Sequence, residues 1–248
     1  MTSEEYGTFI ADYASLLWGC GATCIRTEKN VARISAALGI DATVEIMPRH
    51  VHVILGDGTV IVRKMTHTGI NFDINTRLSR LSWDLADSKI SFEEMRRRFA
   101  EIAGTPPTNR WEVLGLTSAA NAAFCAIFGG DIMAMALVMI ATALGFRLKQ
   151  IMLSAGRDAR LTCLCAAFFS ATFSAAGYIF GLGATPEIAV GTSVLYLIPG
   201  VPYINSVSDI IGRHYLCAMS RFLDALILTC CLSAGLASGL CILGLKWF

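Results

Sequence analysis

Charge is what this sequence has least of. Asp, Glu, Lys and Arg make up 16% of its 248 residues, against 54% hydrophobic, and so low a charged share is unlike an ordinary soluble chain. Between Glu187 and Asp209 there is no charged residue, and no Lys or Arg lies between 161 and 212. The formal net charge is +1, so no basic excess points to a nucleic-acid partner. No Gly-x-x-x-x-Gly-Lys-Ser/Thr occurs, which leaves direct drive by ATP through a P-loop without support. Gly-x-Ser-x-Gly and His-Glu-x-x-His are missing too. The opening Met1-Thr2-Ser3-Glu4-Glu5 is acidic and has no apolar h-region, so no cleaved signal peptide is expected. The nine cysteines fall mostly in apolar runs, where Cys behaves as a small hydrophobe. They form neither a disulfide framework nor a zinc pattern, and Cys20-x-x-x-Cys24 fits neither spacing.

What charge there is lies unevenly. Residues 1–110 hold 13 of the 20 Lys and Arg, and the other 7 sit at the ends of apolar runs. This division predicts an α+β N-terminal cytoplasmic domain over 1–104, a Pro-rich linker over 105–110, and an all-α membrane domain over 111–248. In the first part, apolar residues at helical spacing predict helices over 4–18 and 27–38. The period then changes to two around Val51, Val53 and Leu55, and Gly56-Asp57-Gly58 signals a hairpin. A helix follows around 74–87, and Ser91-x-x-Glu94 reads as the capping box of another. His50 and His52 share a strand face, but no third ligand accompanies them, so neither a metal nor a cofactor is expected. Arg96-Arg97-Arg98 reads as a solvated helix face.

Beyond the linker, Trp111 stands where an interfacial aromatic belongs. Five apolar segments follow, at 113–128, 132–146, 161–182, 186–211 and 225–245, and they predict five transmembrane helices. The second has only fifteen residues, about 22 Å of helix. The fourth is broken at Pro199-Gly200-Val201-Pro202. Proline lacks the N–H that a helix interior needs, and polar backbone freed in lipid must be satisfied by protein or by a wet cavity. The break therefore reads either as a kink packed against neighbours or as a pocket. The second half-helix is expected to start near Tyr203 and to leave the amides of Ile204 and Asn205 free for a carboxylate. Asn205, Asp209 and Arg213 then follow on one face, with Asp209–Arg213 as a structural or a gating pair. Thr185-Pro186-Glu187 suits a helix start. Asn121, with Thr117 and Ser118, puts polar groups into the first span, where bonding between helices is their commoner use.

The loop over 147–160 carries Arg147, Lys149, Arg157 and Arg160, and the 212–224 connection carries Arg213 and Arg221. The alternate loops at 129–131 and 183–187 carry no basic residue. By the positive-inside rule, the N-terminus is expected in the cytoplasm and the C-terminus in the periplasm.

The run Leu197-Ile198-Pro199-Gly200-Val201-Pro202-Tyr203-Ile204-Asn205-Ser206-Val207-Ser208-Asp209 closely follows a Pro-Gly-x-Pro-x-Ile-Asn-x-x-x-Asp pattern. With Gly19-x-Gly21-Ala22, Thr59, Arg63-Lys64 and Gly69-Ile70-Asn71, the whole chain resembles the threonine/serine exporter family (ThrE type), in its YjjP-like larger component of the split, two-gene form. The loop at Thr68 departs from the basic residue of close relatives. The resemblance implies a subunit of a secondary exporter in the bacterial inner membrane, without enzymatic activity. Its solutes would be small and carboxylate-bearing: threonine and serine, or dicarboxylates such as succinate. It also implies a small hydrophobic partner subunit and leaves room for a higher oligomer. The expected solute contacts are Pro199, Gly200, Pro202, Tyr203, Asn205, Asp209 and Asn121, and the expected gating or coupling residues are Asp209, Arg213 and Glu187. Two other readings stay open: a regulatory subunit that senses a cytoplasmic ligand, and a membrane-tethered hydrolase working through its N-terminal part.

Overall fold

The computed structural model of the chain describes residues 2–66 and 69–244. The loop position Thr68 and the terminal Phe248, on which two of the expectations rest, lie outside them. The residues divide into two compact units. The first joins Met1–Pro106 to Val201–Leu223, and the second joins Pro107–Gly200 to Asp224–Phe248.

In the first unit, helix α1 (Ser3–Gly19) opens with a capping box. Glu5 N–H donates to Thr2 Oγ1, and Thr2 N–H donates to Glu5 Oε2 at 2.9 Å. Such reciprocal bonds satisfy amides that a helix start leaves unpaired. After a tight turn, α2 (Cys24–Leu38) starts behind Thr23 and stops at Gly39, whose φ of 65° is the left-handed conformation that glycine adopts without strain. Three strands follow, β1 (Ala42–Ile46), β2 (His50–Leu55) and β3 (Val60–Lys64), paired antiparallel in the order β1-β2-β3. Val53 on the central strand stands opposite both Val44 and Ile61. Alternation turns Val51, Val53 and Leu55 into the core with Ile10, Tyr13 and Leu17 of α1, each fully buried apolar side chain contributing about 1.5–3 kcal/mol. Helices α3 (Phe72–Ala86) and α4 (Phe92–Ala103) complete this face. Gly19 lets the chain approach Thr66 closely, since a Cβ there would meet the Thr66 carbonyl. His50 is exposed, and His52 faces Glu45 across the strands at 3.9 Å. Among the described residues, no group of three or more His, Cys, Asp or Glu could hold a metal ion.

The second unit is helical. It holds α5 (Arg110–Ile127), α6 (Ile132–Ser154), α7 (Ala159–Ser174), the short α8 (Ala176–Phe180) and α9 (Pro186–Thr192), followed by a 3-10 turn at Leu195–Leu197. Small residues let these helices approach closely: Ala134, Ala141, Ala166, Ala167 and Ala171 are all buried. Helix α10 (Gly200–Ile211) belongs almost wholly to the first unit. In α11 (Tyr215–Ile242) the residues through Leu223 belong to the first unit and the rest to the second.

The expected class, an α+β N-terminal cytoplasmic domain followed by five transmembrane helices with the fourth broken, is overturned. Helices begin at Ser3 and take 71% of the described residues, with only a small three-stranded sheet. Residues 201–223 complete the first unit, so no N-terminal segment stands by itself as an α+β domain. Among the described residues three helices are long and apolar enough to cross a membrane: Ile132–Ser154, Ala159–Phe180 and Tyr215–Ile242. A fourth span exists only if Pro186–Leu197 and Gly200–Ile211 count as one. The segment read as the first span, 113–128, lies in α5, which starts at Arg110 and so takes in Arg110 and Glu112 as well as the buried Asn121; these dilute the helix's hydropathy below that of a span. The second segment is not short, because α6 runs on through Arg147 and Lys149 to Ser154, about 34 Å of helix.

Candidate functional site

The break is real, but it starts earlier than the prolines suggest. Helix α9 ends at Thr192 after seven residues. Ile198 is extended, with φ −63° and ψ 123°, as the residue before a proline must be when Pro Cδ crowds its backbone. Pro199 is buried, and helix begins again at Gly200. Pro202 therefore sits in the first turn of α10, where a missing N–H costs little. The amides of Ile204 and Asn205 lie beyond that first turn and not at a free helix end.

Helix α10 carries its polar residues inward. Ser206 and Asp209 are buried, while Ile204, Val207, Ile210 and Ile211 are exposed. Ser206 Oγ donates to Ala218 O on α11 at 2.9 Å, while Asn205 and Asp209 reach the turn between α1 and α2. Asn205 Nδ2 donates to Gly21 O at 2.9 Å. Asp209 Oδ1 accepts the N–H of Cys24, the first residue of α2, at 2.8 Å. A carboxylate there satisfies an amide at the positive end of the helix. Arg221 on α11 reaches the same turn, with NH2 donating to Ala22 O at 2.6 Å and NH1 lying 3.2 Å from Asp209 Oδ2. Its guanidinium lies 3.8 Å over the Trp18 ring. Asn71 N–H donates to Cys20 O at 3.0 Å. All three turn carbonyls, Cys20, Gly21 and Ala22, thus accept bonds from residues far along the chain.

The other expected positions lie apart from this cluster. Arg213 is exposed with φ 64° in the turn after α10, and the partner of Asp209 is Arg221. Glu187 is exposed in the first turn of α9. Tyr203 packs edge-on against Phe222 at 5.8 Å. Arg221 was missed as a functional partner because it reads as one more loop charge. Its place inside an apolar helix was the available signal, since a cation there needs a partner.

The second unit buries its own polar seam. Asn121 Nδ2 on α5 donates to Thr142 Oγ1 on α6 at 2.7 Å and to Thr192 O at 3.1 Å, with Ser193 O at 3.4 Å. The last two are carbonyls at the C-terminal end of α9. The seam continues through Ser170 on α7, which donates to Ala141 O at 3.2 Å and shares a bond with Tyr196 OH at 2.9 Å. Gly145 makes room for it, since a Cβ there would collide with both Ser170 Oγ and Tyr196 OH. A ring contact between Phe146 and Tyr196 at 5.9 Å closes one side. Of these residues the sequence picked out only Asn121. At one end of the unit, Asp131 caps α6 through Ala134 N–H at 2.7 Å and holds the loop by Ala184 N–H at 2.6 Å. These amides, Ala184 first, hold its carboxyl below the usual carboxylate range.

With this geometry in place, comparison with known proteins is decisive. Residues 8–243 match the family ThrE, described as "Putative threonine/serine exporter". The chain belongs to the threonine/serine exporter family. It is 25% identical over 233 residues to proteins named "Probable succinate transporter subunit YjjP" from Klebsiella aerogenes and Escherichia coli. These alignments span 91% of this chain and 89% and 90% of the relatives. No solved structure matches. The chain is a membrane protein of an exporter family, and the two polar clusters are to be read in that light.

Proposed function

We propose that the chain is one subunit of a secondary exporter of small carboxylate-bearing solutes, threonine and serine or a dicarboxylate such as succinate, and that it works with a small hydrophobic partner subunit. The observation that carries this reading is the family match over nearly the whole chain. The two relatives are named as subunits of a succinate transporter, which favours both a partner and a dicarboxylate. The reading includes no enzymatic step.

Within the second unit, the Asn121–Thr142–Thr192 seam is the proposed solute path. Buried hydroxyls and amides among apolar helices give a polar solute exchangeable hydrogen bonds at depth, and broken helices with exposed carbonyl ends recur at such sites. The proposed setting is a bacterial inner membrane with the basic stretch 147–160, the end of α6 and the turn into α7, in the cytoplasm.

The test is reconstitution in liposomes with and without the partner, with release of labelled succinate and threonine as the readout. The reading expects transport only when both subunits are present, and slow transport by Asn121→Leu at matched insertion. Full-rate export by this chain alone would overturn the partner claim. Full-rate export by Asn121→Leu would remove the seam from the path.

A further inference from the structure

In the first unit, α2 and α3 leave an open groove of about 460 Å³ between them. Arg26, Lys29 and Arg33 line it at steps of three and four residues, on one face of α2, and none of the lining residues is Asp or Glu. Like charges at such spacing repel one another and weaken a helix. Among the described residues none of the three has a carboxylate within ion-pairing distance. The nearby acids are engaged elsewhere: Glu28 faces His214 at 3.2 Å, Asp73 faces Arg77 at 3.4 Å, and Asp87 faces Lys89 at 2.8 Å.

The two guanidinium groups are nevertheless held in place. Arg26 NH1 donates to Asn75 Oδ1 at 2.8 Å. Arg33 NH1 donates to Asn30 Oδ1 at 2.7 Å and Ser82 Oγ at 2.6 Å, and its guanidinium lies 3.7 Å over Trp83. Asn30, Asn75 and Ser82 are buried. Neutral acceptors aim a guanidinium without cancelling its charge, so three positive charges stay directed at the groove. Opposite them lie the hydroxyls of Thr76, Ser79 and Ser208. Ser79 Oγ accepts from Asn30 Nδ2 at 3.1 Å, which leaves its own proton to donate.

We propose that this groove binds a small dicarboxylate dianion. Guanidinium forks match carboxylates in a bidentate way. The cations extend over seven residues of α2, about 10 Å, so a ligand with an anionic group at each end meets cations at both. A compact anion such as phosphate reaches one end only. The inference rests on the reading of the solute as a small carboxylate, and it gives the first unit a part in recognising that solute.

The experiment is equilibrium dialysis of labelled succinate against the full chain in detergent micelles, with inorganic phosphate as the second probe. Arg26→Gln combined with Lys29→Gln alters two exposed side chains and leaves the Arg33–Trp83 stack in place. The expected result is one groove-bound succinate per chain that weakens as salt is raised, with affinity falling roughly tenfold or more in the double variant, as loss of charge-assisted bonds requires. Lys29→Arg should keep binding. Succinate bound by the double variant with wild-type affinity and stoichiometry overturns the proposal, and so does phosphate binding without succinate binding. Liposome export is measured in parallel. Export of succinate alongside unchanged binding by the double variant sinks the groove and leaves the exporter reading standing. Loss of groove binding in a system that exports no carboxylate sinks the exporter's substrate reading and leaves the groove.

Discussion

Asp209 and Arg221 lie 3.2 Å apart, and both close on the turn between α1 and α2. Asp209 is fully buried and the Arg221 side chain is 16% exposed. Breaking a buried pair by removing one partner leaves an uncompensated charge and costs about 3–5 kcal/mol. Asp209→Ala and Arg221→Met should each lower thermal stability strongly in detergent. The double variant should be less unstable than the two losses added together. Additive losses in that double-mutant cycle would show that the ion pair contributes nothing beyond its separate bonds.

The seam in the second unit is tested by Thr142→Val. This change keeps the shape of the side chain but removes the acceptor of the 2.7 Å bond from Asn121. Loss of one buried bond costs about 1 kcal/mol, and more where the partner stays unsatisfied. The melting temperature should fall modestly, and export should slow more than folding suffers if the seam carries solute. Unchanged export at matched insertion would assign Thr142 to packing alone.

Gly145→Ala probes the same place by crowding. Its methyl would meet Ser170 Oγ and Tyr196 OH, and overpacking of a tight interior costs typically about 1–3 kcal/mol. Ser170→Ala in the Gly145→Ala background should recover part of the loss, because it removes one of the colliding atoms. A Gly145→Ala chain as stable as wild type would mean that α6 and α7 part without cost.

Asp131 gives the second unit an acid-sensitive end. Its carboxyl is held below the usual range by the amides of Ala184 and Ala134. A depressed carboxylate stabilises the fold above its unfolded value, about pH 4, and that contribution is lost as pH falls further. Wild type and Asp131→Asn should therefore differ in melting temperature at pH 7 and converge towards pH 2. A constant difference across that range would show that the charge on Asp131 contributes nothing.

Much of the local structure is legible in the sequence. Gly39 ends α2 as expected, although the helix starts at Cys24 behind Thr23 and not at 27; Gly56-Asp57-Gly58 turns β2 into β3, and Ser91 Oγ accepts Glu94 N–H at 3.3 Å. These signals act within four residues. The helix break was legible because Pro199 dictates the backbone of its neighbour Ile198. What Asp209 touches was not legible. Helical spacing offered Arg213, whereas the carboxylate meets Cys24 and Arg221, and no local period encodes contacts across that sequence distance. The inward polar face of α10 was hidden for a second reason. Polar residues inside and apolar residues outside reverse the usual soluble pattern, so hydropathy reported the segment as a membrane span and gave no hint of its partners. For Asn121 the polarity in an apolar run was visible, while its acceptors on Thr142 and α9 needed three dimensions.

The first unit is stitched from two stretches of sequence, Met1–Pro106 and Val201–Leu223, and this sets an order for biosynthesis. Residues 1–106 leave the ribosome well before Asn205, Asp209 and Arg221 are made. At about 5–20 residues per second, the turn between α1 and α2 waits roughly 10–40 seconds for the side chains that close it. In that interval the Gly21 and Ala22 carbonyls and the Cys24 amide must stay hydrated. Closure of the first unit therefore reports synthesis completed through Arg221. A nascent chain arrested before residue 201 should stay open to protease at its α1–α2 turn, however long it is left.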